Sequence, residues 1–224
     1  MIVIRGVTKV FRAATALAGV DLEIGRGECL AIAGSHGSGR TTLLRIVATL
    51  VRPTAGQVEI DGIDVASDVF RVRPLVAYAG HERMDGNRLR VDEYLRFVAA
   101  ARKRPVSAAA PIADLVGLDA RASIAALASD IQPRLALAAA LVAAPAVLLL
   151  DEPLRVLETG ARAGFLHWLA DAGDRGTTVV LSANESDDLG ELCQRAVRLE
   201  AGRLVQVAAA QPSPAAMPAE LVGA

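Results

Sequence analysis

The chain has 224 residues, of which 53% are hydrophobic and 3% aromatic, with 24 basic against 25 acidic side chains. That length holds one domain of ordinary size, or one with a small appended lobe, and its core must be largely aliphatic. A formal net charge of −1 supplies no global basic field, so a nucleic-acid partner is not expected.

In chain order, residues 2–4 and 20–24 read as two short strands joined by a loop that carries Phe11, and Gly25 and Gly27 mark a turn. Residues 29–33 form a continuous apolar strand of the kind buried on both faces. A glycine-rich stretch and a helical segment from Thr41 to Leu50 follow. Gln57 to Ile60 alternates as a strand before the turn signal Asp61-Gly62, and Val76 to Tyr78 is another short strand. Val91 to Ala101 is helical by its apolar spacing, Pro105 and Pro111 frame a loop, and a second helical stretch covers Ile112 to Val116. An alanine-rich helix runs from Arg134 to Ala144, with Pro133 in its first turn and Pro145 at its end. Ala146 to Leu150 is a buried strand. A helix over 159–172, a strand over 177–181 and a helix over 185–195 come next, then a hairpin of 195–200 and 203–207 across Ala201-Gly202. The organisation predicted is a domain over 1–207 with a helical subdomain at about 82–144. From 208 onward the Ala/Pro-rich composition predicts a tail without fixed structure.

Cys29 and Cys193 are far apart and follow no metal spacing; they read as small core residues in a reducing, cytosolic compartment. The first residues lack the pattern of a signal peptide. The longest uncharged run, 135–150, falls short of the ~20 residues that a spanning helix needs.

Two stretches carry chemistry. The first is Gly34-Ser35-His36-Gly37-Ser38-Gly39-Arg40-Thr41-Thr42, set between a buried strand and a helix. Its glycines let the backbone turn tightly with N–H groups pointing inward, and the following helix aims its positive end at the same spot. It matches the Gly-x-x-x-x-Gly-Lys-[Ser/Thr] phosphate loop except that Arg40 stands for the lysine. Backbone amides would cradle the phosphates and the Thr41 hydroxyl would reach magnesium. The second stretch is Val147-Leu148-Leu149-Leu150-Asp151-Glu152, two carboxylates at the carboxyl end of a buried strand, where ligands of open α/β sheets sit. There Asp151 is placed to hold magnesium and Glu152 to polarise an attacking water, the catalytic role. His36, His81 and His167 are scattered, without Cys or carboxylate partners at metal spacing, and give no metal site of their own.

With both motifs in order, the chain resembles an ATP-binding cassette (ABC) ATPase, the nucleotide-binding subunit of ABC transporters, over about residues 1–207. The segments GVDLEIGRGECLAIAGSHGSGRTTLLRIVATLVRPTAGQVEIDG and LALAAALVAAPAVLLLDEP carry the likeness. Together with VDEYLRFVAA their phrasing is most similar to export-type cassettes of bacterial ABC-2 transporters. The resemblance implies an α/β P-loop NTPase with a mixed β core and an inserted helical subdomain. It also implies ATP and Mg2+ as cofactors, a membrane permease and a second ABC ATPase subunit (itself or a paralogue) as partners, and a place on the inner face of the cell membrane.

Residue by residue, the resemblance puts Phe11 on the adenine ring. Several family positions are replaced. His81 stands for the sensing glutamine and Arg40 for the phosphate lysine. Leu127-Ala128-Ser129-Asp130-Ile131 stands for the signature Leu-Ser-Gly-Gly-Gln, Glu158 for the D-loop aspartate and Asn184 for the switch histidine. Asp130 would set a carboxylate against a polyphosphate, and Asn184 cannot take a proton. Cassettes of the family pair head to tail, so no pairing of this chain leaves a wholly intact site. Losing one preorganised donor costs about 10²–10³ in rate, whereas backbone amides survive side-chain replacement. ATP is therefore expected to be held better than hydrolysed. The other expectation is a catalytically inactive regulatory or structural cassette that supports a paralogous ATPase.

Overall fold

The computed structural model describes residues 1–81, 88–184 and 193–209, without the side chains of 206–209. Its strands are β1 (Ile2–Phe11), β2 (Ala14–Ile24), β3 (Cys29–Ala33), β4 (Ala55–Ile60), β5 (Ile63–Asp64), β6 (Val76–Ala79), β7 (Val147–Asp151), β8 (Thr178–Ala183), β9 (Arg195–Glu200) and β10 (Arg203–Ala209). The helices are α1 (Arg40–Val47), α2 (Val69–Val72), α3 (Val91–Ala101), α4 (Ala109–Leu115), α5 (Gln132–Ala143), α6 (Pro153–Val156) and α7 (Thr159–Asp174).

Two sheets form. One has the order β2-β1-β4-β5 and is antiparallel; the other has the order β10-β9-β3-β8-β7-β6. In the larger sheet β9, β3, β8, β7 and β6 run parallel and β10 returns antiparallel on β9. The continuous apolar runs of its central strands follow from burial on both faces. Alternation then sorts the side chains. Leu30, Ile32, Leu149 and Val180 face the antiparallel sheet and α1, while Ala31, Leu148, Leu150, Val179 and Leu181 pack with α3, α4, α5 and α7. The phosphate loop leaves the carboxyl end of β3 beside the carboxyl ends of β7 and β8, so the two motifs converge through topology.

Several elements differ from their sequence reading for local reasons. β1 is ten residues long rather than three, because register shifts at Gly6 (φ 57°) absorb an interruption that looks like a strand end. Phe11 therefore ends a strand. α1 stops at Val47, where Thr49 takes a left-handed φ of 64° and the N–H groups of Leu50 and Val51 turn back onto the Arg45 carbonyl. Pro111 lies inside the first turn of α4, where its missing N–H has no intrahelical partner to lose. The helix expected over 185–195 lies outside the described residues for 185–192, and its last residue, Arg195, begins β9. The tail beyond 209 is likewise outside them.

The cysteines need correcting. Cys29 and Cys193 are joined by a disulfide, with Cα atoms 4.8 Å apart. The parallel pairing of Leu30 with Arg195 lays the residues before each strand side by side, a proximity that a separation of 164 residues conceals. A bonded pair is not what reduced cytosolic thiols lead one to expect.

Candidate nucleotide site

The loop after β3 is shaped by glycine. Gly39 caps α1 at φ 108°, and a Cβ there would lie 2.4 Å from the Ala16 carbonyl oxygen, so no other residue fits without moving β2. Gly37 has φ 80° and open space where a Cβ would stand, which leaves the cradle free for a ligand. The Ser38 carbonyl accepts the N–H of Gly202 at 2.9 Å, fastening the loop to the tip of the β9–β10 hairpin. The Ser38 hydroxyl is buried without a hydrogen-bond partner among the described residues. A cavity of about 380 Å³ opens here, lined by Ala16, the loop from His36 to Thr42, His81, Glu152 and Arg155. An orphaned buried hydroxyl, an open cradle and an arginine-bearing wall fit a polyphosphate.

Arg40 does not point along the cradle as a phosphate lysine would. Its side chain is 5% exposed, and Nη2 donates to Glu152 Oε1 at 2.7 Å. Both terminal nitrogens lie 3.3–3.4 Å from Asn184 Oδ1, and Nη1 also donates to the Ala183 carbonyl. The fork thus ties the first residue of α1 to the ends of β7 and β8. The other oxygen of Glu152 accepts from Arg155 Nη1 at 2.7 Å, and Arg155 is 62% exposed. Each carboxylate oxygen of Glu152 is therefore engaged by an arginine. The two pairs differ in weight: removing one partner of a buried pair costs about 3–5 kcal/mol, whereas an exposed pair contributes at most about 1 kcal/mol.

Beneath this lies a second network. Ser182 faces Asp151 across the parallel β7–β8 pairing and donates its hydroxyl to Asp151 Oδ1 at 2.6 Å. The same hydroxyl accepts the N–H of Glu152 at 2.8 Å. Tyr78 on β6 donates to Asp151 Oδ2 at 3.2 Å, and Arg45 Nε lies 3.4 Å from the Tyr78 hydroxyl. Asp151 is 5% exposed and is not among the residues lining the cavity, whereas Thr41 is.

A protein-family model described as ABC transporter matches residues 17–155, more than half of the sequence. The chain belongs to the ABC transporter family. It is 31% identical over 210 residues to the daunorubicin resistance ATP-binding protein DrrA3 of Streptomyces coeruleorubidus, covering 91% of this chain and 66% of that one. It is 35% identical over 217 residues to the sulfate/thiosulfate import ATP-binding protein CysA of Xylella fastidiosa strain 9a5c, covering 92% and 62%. The chain thus spans slightly less than two thirds of the length of these relatives. The backbone follows that of an ATP-binding subunit of an ABC transporter with a TM-score of 0.82 at 21% identity, covering 93% and 90% of the two chains. It follows a dimeric ATP-binding cassette in a post-hydrolysis state, bound to ADP and Pi, equally well, with a TM-score of 0.82 at 23% identity and 95% and 100% coverage.

The remaining ABC motif positions fall in different places. His81 is exposed and reaches the cavity. Phe11 is 45% exposed, carries the Lys9 ammonium 4.7 Å above its ring, and is not a lining residue. Gly34 and Ser35 stand just outside the lining. Ala128, Ser129 and Asp130 form an exposed turn before α5, where the Ala128 carbonyl accepts the N–H groups of Ile131 and Gln132. Glu158 caps α7 and pairs with Arg134 of α5 at 2.8 Å, joining the D-loop position to the helix behind the signature position.

Sequence reasoning missed Arg155, Ser182 and Tyr78. For Arg155 a signal existed: Pro153 starts a helical turn after Glu152, and a spacing of three sets the two charges together. Ser182 and Tyr78 depend on strand register, which the sequence does not print.

Proposed function

We propose that this chain is the ATP-binding subunit of an ABC transporter, coupling nucleotide binding, and at most slow hydrolysis, to a separate membrane permease. The observation that carries this reading is the double engagement of Glu152 by Arg40 and Arg155 beside an open phosphate cradle. The cradle relies on backbone amides and the Ser38 and Thr41 hydroxyls, so binding is retained. A carboxylate whose two oxygens both accept from arginines is a poor acceptor for a proton from water. ATP would sit on the 34–42 loop with Phe11 toward the adenine. Mg2+, when bound, would neutralise the phosphate oxygens, with Thr41 and Asp151 as the residues to hold it. The partners in this reading are the permease and a second cassette, itself or a paralogue, at the inner face of the membrane. The names of the relatives support the class. In the described residues no helix is long and apolar enough to cross a membrane. In the same reading, residues 1–207 form the cassette and 82–144 its helical subdomain.

A steady-state ATPase assay with Glu152→Gln as control tests the impaired turnover: a Glu152-dependent rate on the order of 1 s⁻¹ or above, ordinary for an enzyme, would refute it. The second reading, a regulatory or structural cassette supporting a paralogous ATPase, is favoured by the buried Arg40–Glu152 bond. Calorimetric titration with ATP–Mg2+ separates the two, since absence of binding selects the second.

A further inference from the structure

The phosphate loop has lost its lysine, and the arginine in that place is committed elsewhere. Arg40 is almost fully buried, with its two terminal nitrogens on the Ala183 carbonyl, Asn184 and Glu152. Arg155 stands across the same cavity, lining it together with Gly37 to Thr42. It is 62% exposed and pairs with one oxygen of Glu152. We propose that Arg155, not Arg40, is the cation that engages the terminal phosphate of the bound nucleotide, resting on Glu152 until a triphosphate arrives. This rests on the reading of the site as an ATP site and names the residue that reads its γ-phosphate.

The physical grounds are exchange and geometry. A solvent-exposed arginine paired with a carboxylate loses little on moving to a phosphate, because both partners are anionic acceptors suited to its planar fork. Arg40 could do the same only by leaving a buried carboxylate, a carbonyl and an amide oxygen without their donor. Arg155 projects from α6, directly after Glu152, whose backbone is fixed by the Ser182 hydroxyl. Its anchor is therefore rigid while its guanidinium is free to swing. Transfer of Arg155 to the phosphate releases Glu152 Oε2 while the buried Arg40 keeps Oε1, so arrival of a triphosphate leaves the carboxylate held by one arginine instead of two. A diphosphate, shorter by one group, leaves the Arg155–Glu152 pair in place.

Calorimetric titration of the full chain with ATP–Mg2+ and with ADP–Mg2+ tests this, comparing the unaltered chain with Arg155→Ala and Arg155→Lys. Arg155→Ala is expected to weaken ATP about ten-fold or more, the scale of one lost charge-assisted contact, and to leave ADP within about two-fold. Arg155→Lys is expected to restore part of the ATP affinity. Circular dichroism confirms that the variants fold. Equal affinities of Arg155→Ala and the unaltered chain for ATP overturn the proposal and leave the nucleotide site standing. Equal weakening of ATP and ADP also overturns it, since a structural role moves both. Failure of the unaltered chain to bind either nucleotide overturns this proposal together with the reading beneath it.

Discussion

Nη2 of Arg40 lies 2.7 Å from Oε1 of Glu152, so the arginine of the glycine loop is bonded to the carboxylate proposed as the catalytic base. The departure at one motif is thereby written into the other. A lysine presents its donors from a single nitrogen at the end of a flexible stem, so it cannot span Glu152 and the Ala183 carbonyl from two separate nitrogens as the Arg40 fork does.

Arg40→Lys should loosen this clamp. The expected outcome is a Glu152-dependent ATPase rate about ten-fold above that of the unaltered chain, in line with freeing one general base. The gain should vanish in the double variant with Glu152→Gln. Arg40→Ala should instead lower stability by about 3–5 kcal/mol by leaving a buried carboxylate under-compensated, read by urea denaturation.

The glycines of the cradle separate folding from binding. Gly37→Ala meets open space and should cost only about 1–2 kcal/mol for its left-handed backbone, while its methyl group occupies the cradle and weakens ATP binding. Gly39→Ala drives a methyl into the Ala16 carbonyl at 2.4 Å and should lose both. Melting curves beside nucleotide titrations distinguish the two patterns, and equal destabilisation by both variants would count against this division.

Ser182→Ala removes a buried hydroxyl that serves both the Asp151 carboxylate and the Glu152 N–H. Two buried polar groups lose a partner, so a loss of about 2–4 kcal/mol is expected. Ser182→Thr should cost less, since it retains the hydroxyl. Denaturant midpoints of the pair measure the difference.

The Cys29–Cys193 bond closes a long loop, and the chain-entropy estimate for such a closure is roughly 5 kcal/mol at most. Cys193→Ser, or dithiothreitol added to the unaltered chain, should therefore lower the melting temperature to a similar extent. Thiol alkylation followed by mass spectrometry gives the fraction bonded in protein taken directly from cells.

Much of this was legible in the residues. The run from Cys29 to Ala33 and that from Val147 to Leu150 announce strands buried on both faces, and the two motifs at their ends announce the ligand class. The direction of the Arg40 fork was not legible, because its acceptors come from residues more than a hundred positions away. The same holds for the disulfide and for Ser182 opposite Asp151, both of which are consequences of which parallel strands become neighbours. Gly6 misled for the opposite reason: a local irregularity in a long strand looks, in one dimension, like its end.

The bond from Gly202 to Ser38 has a consequence for biogenesis. The glycine loop over residues 34–42 is translated well before the N–H of Gly202 that fastens it. A nascent chain on the ribosome would carry the whole glycine motif, until Gly202 is made, without the buttress that fixes its shape. A message truncated before that hairpin would yield a product with the motif but without the bond that fastens it.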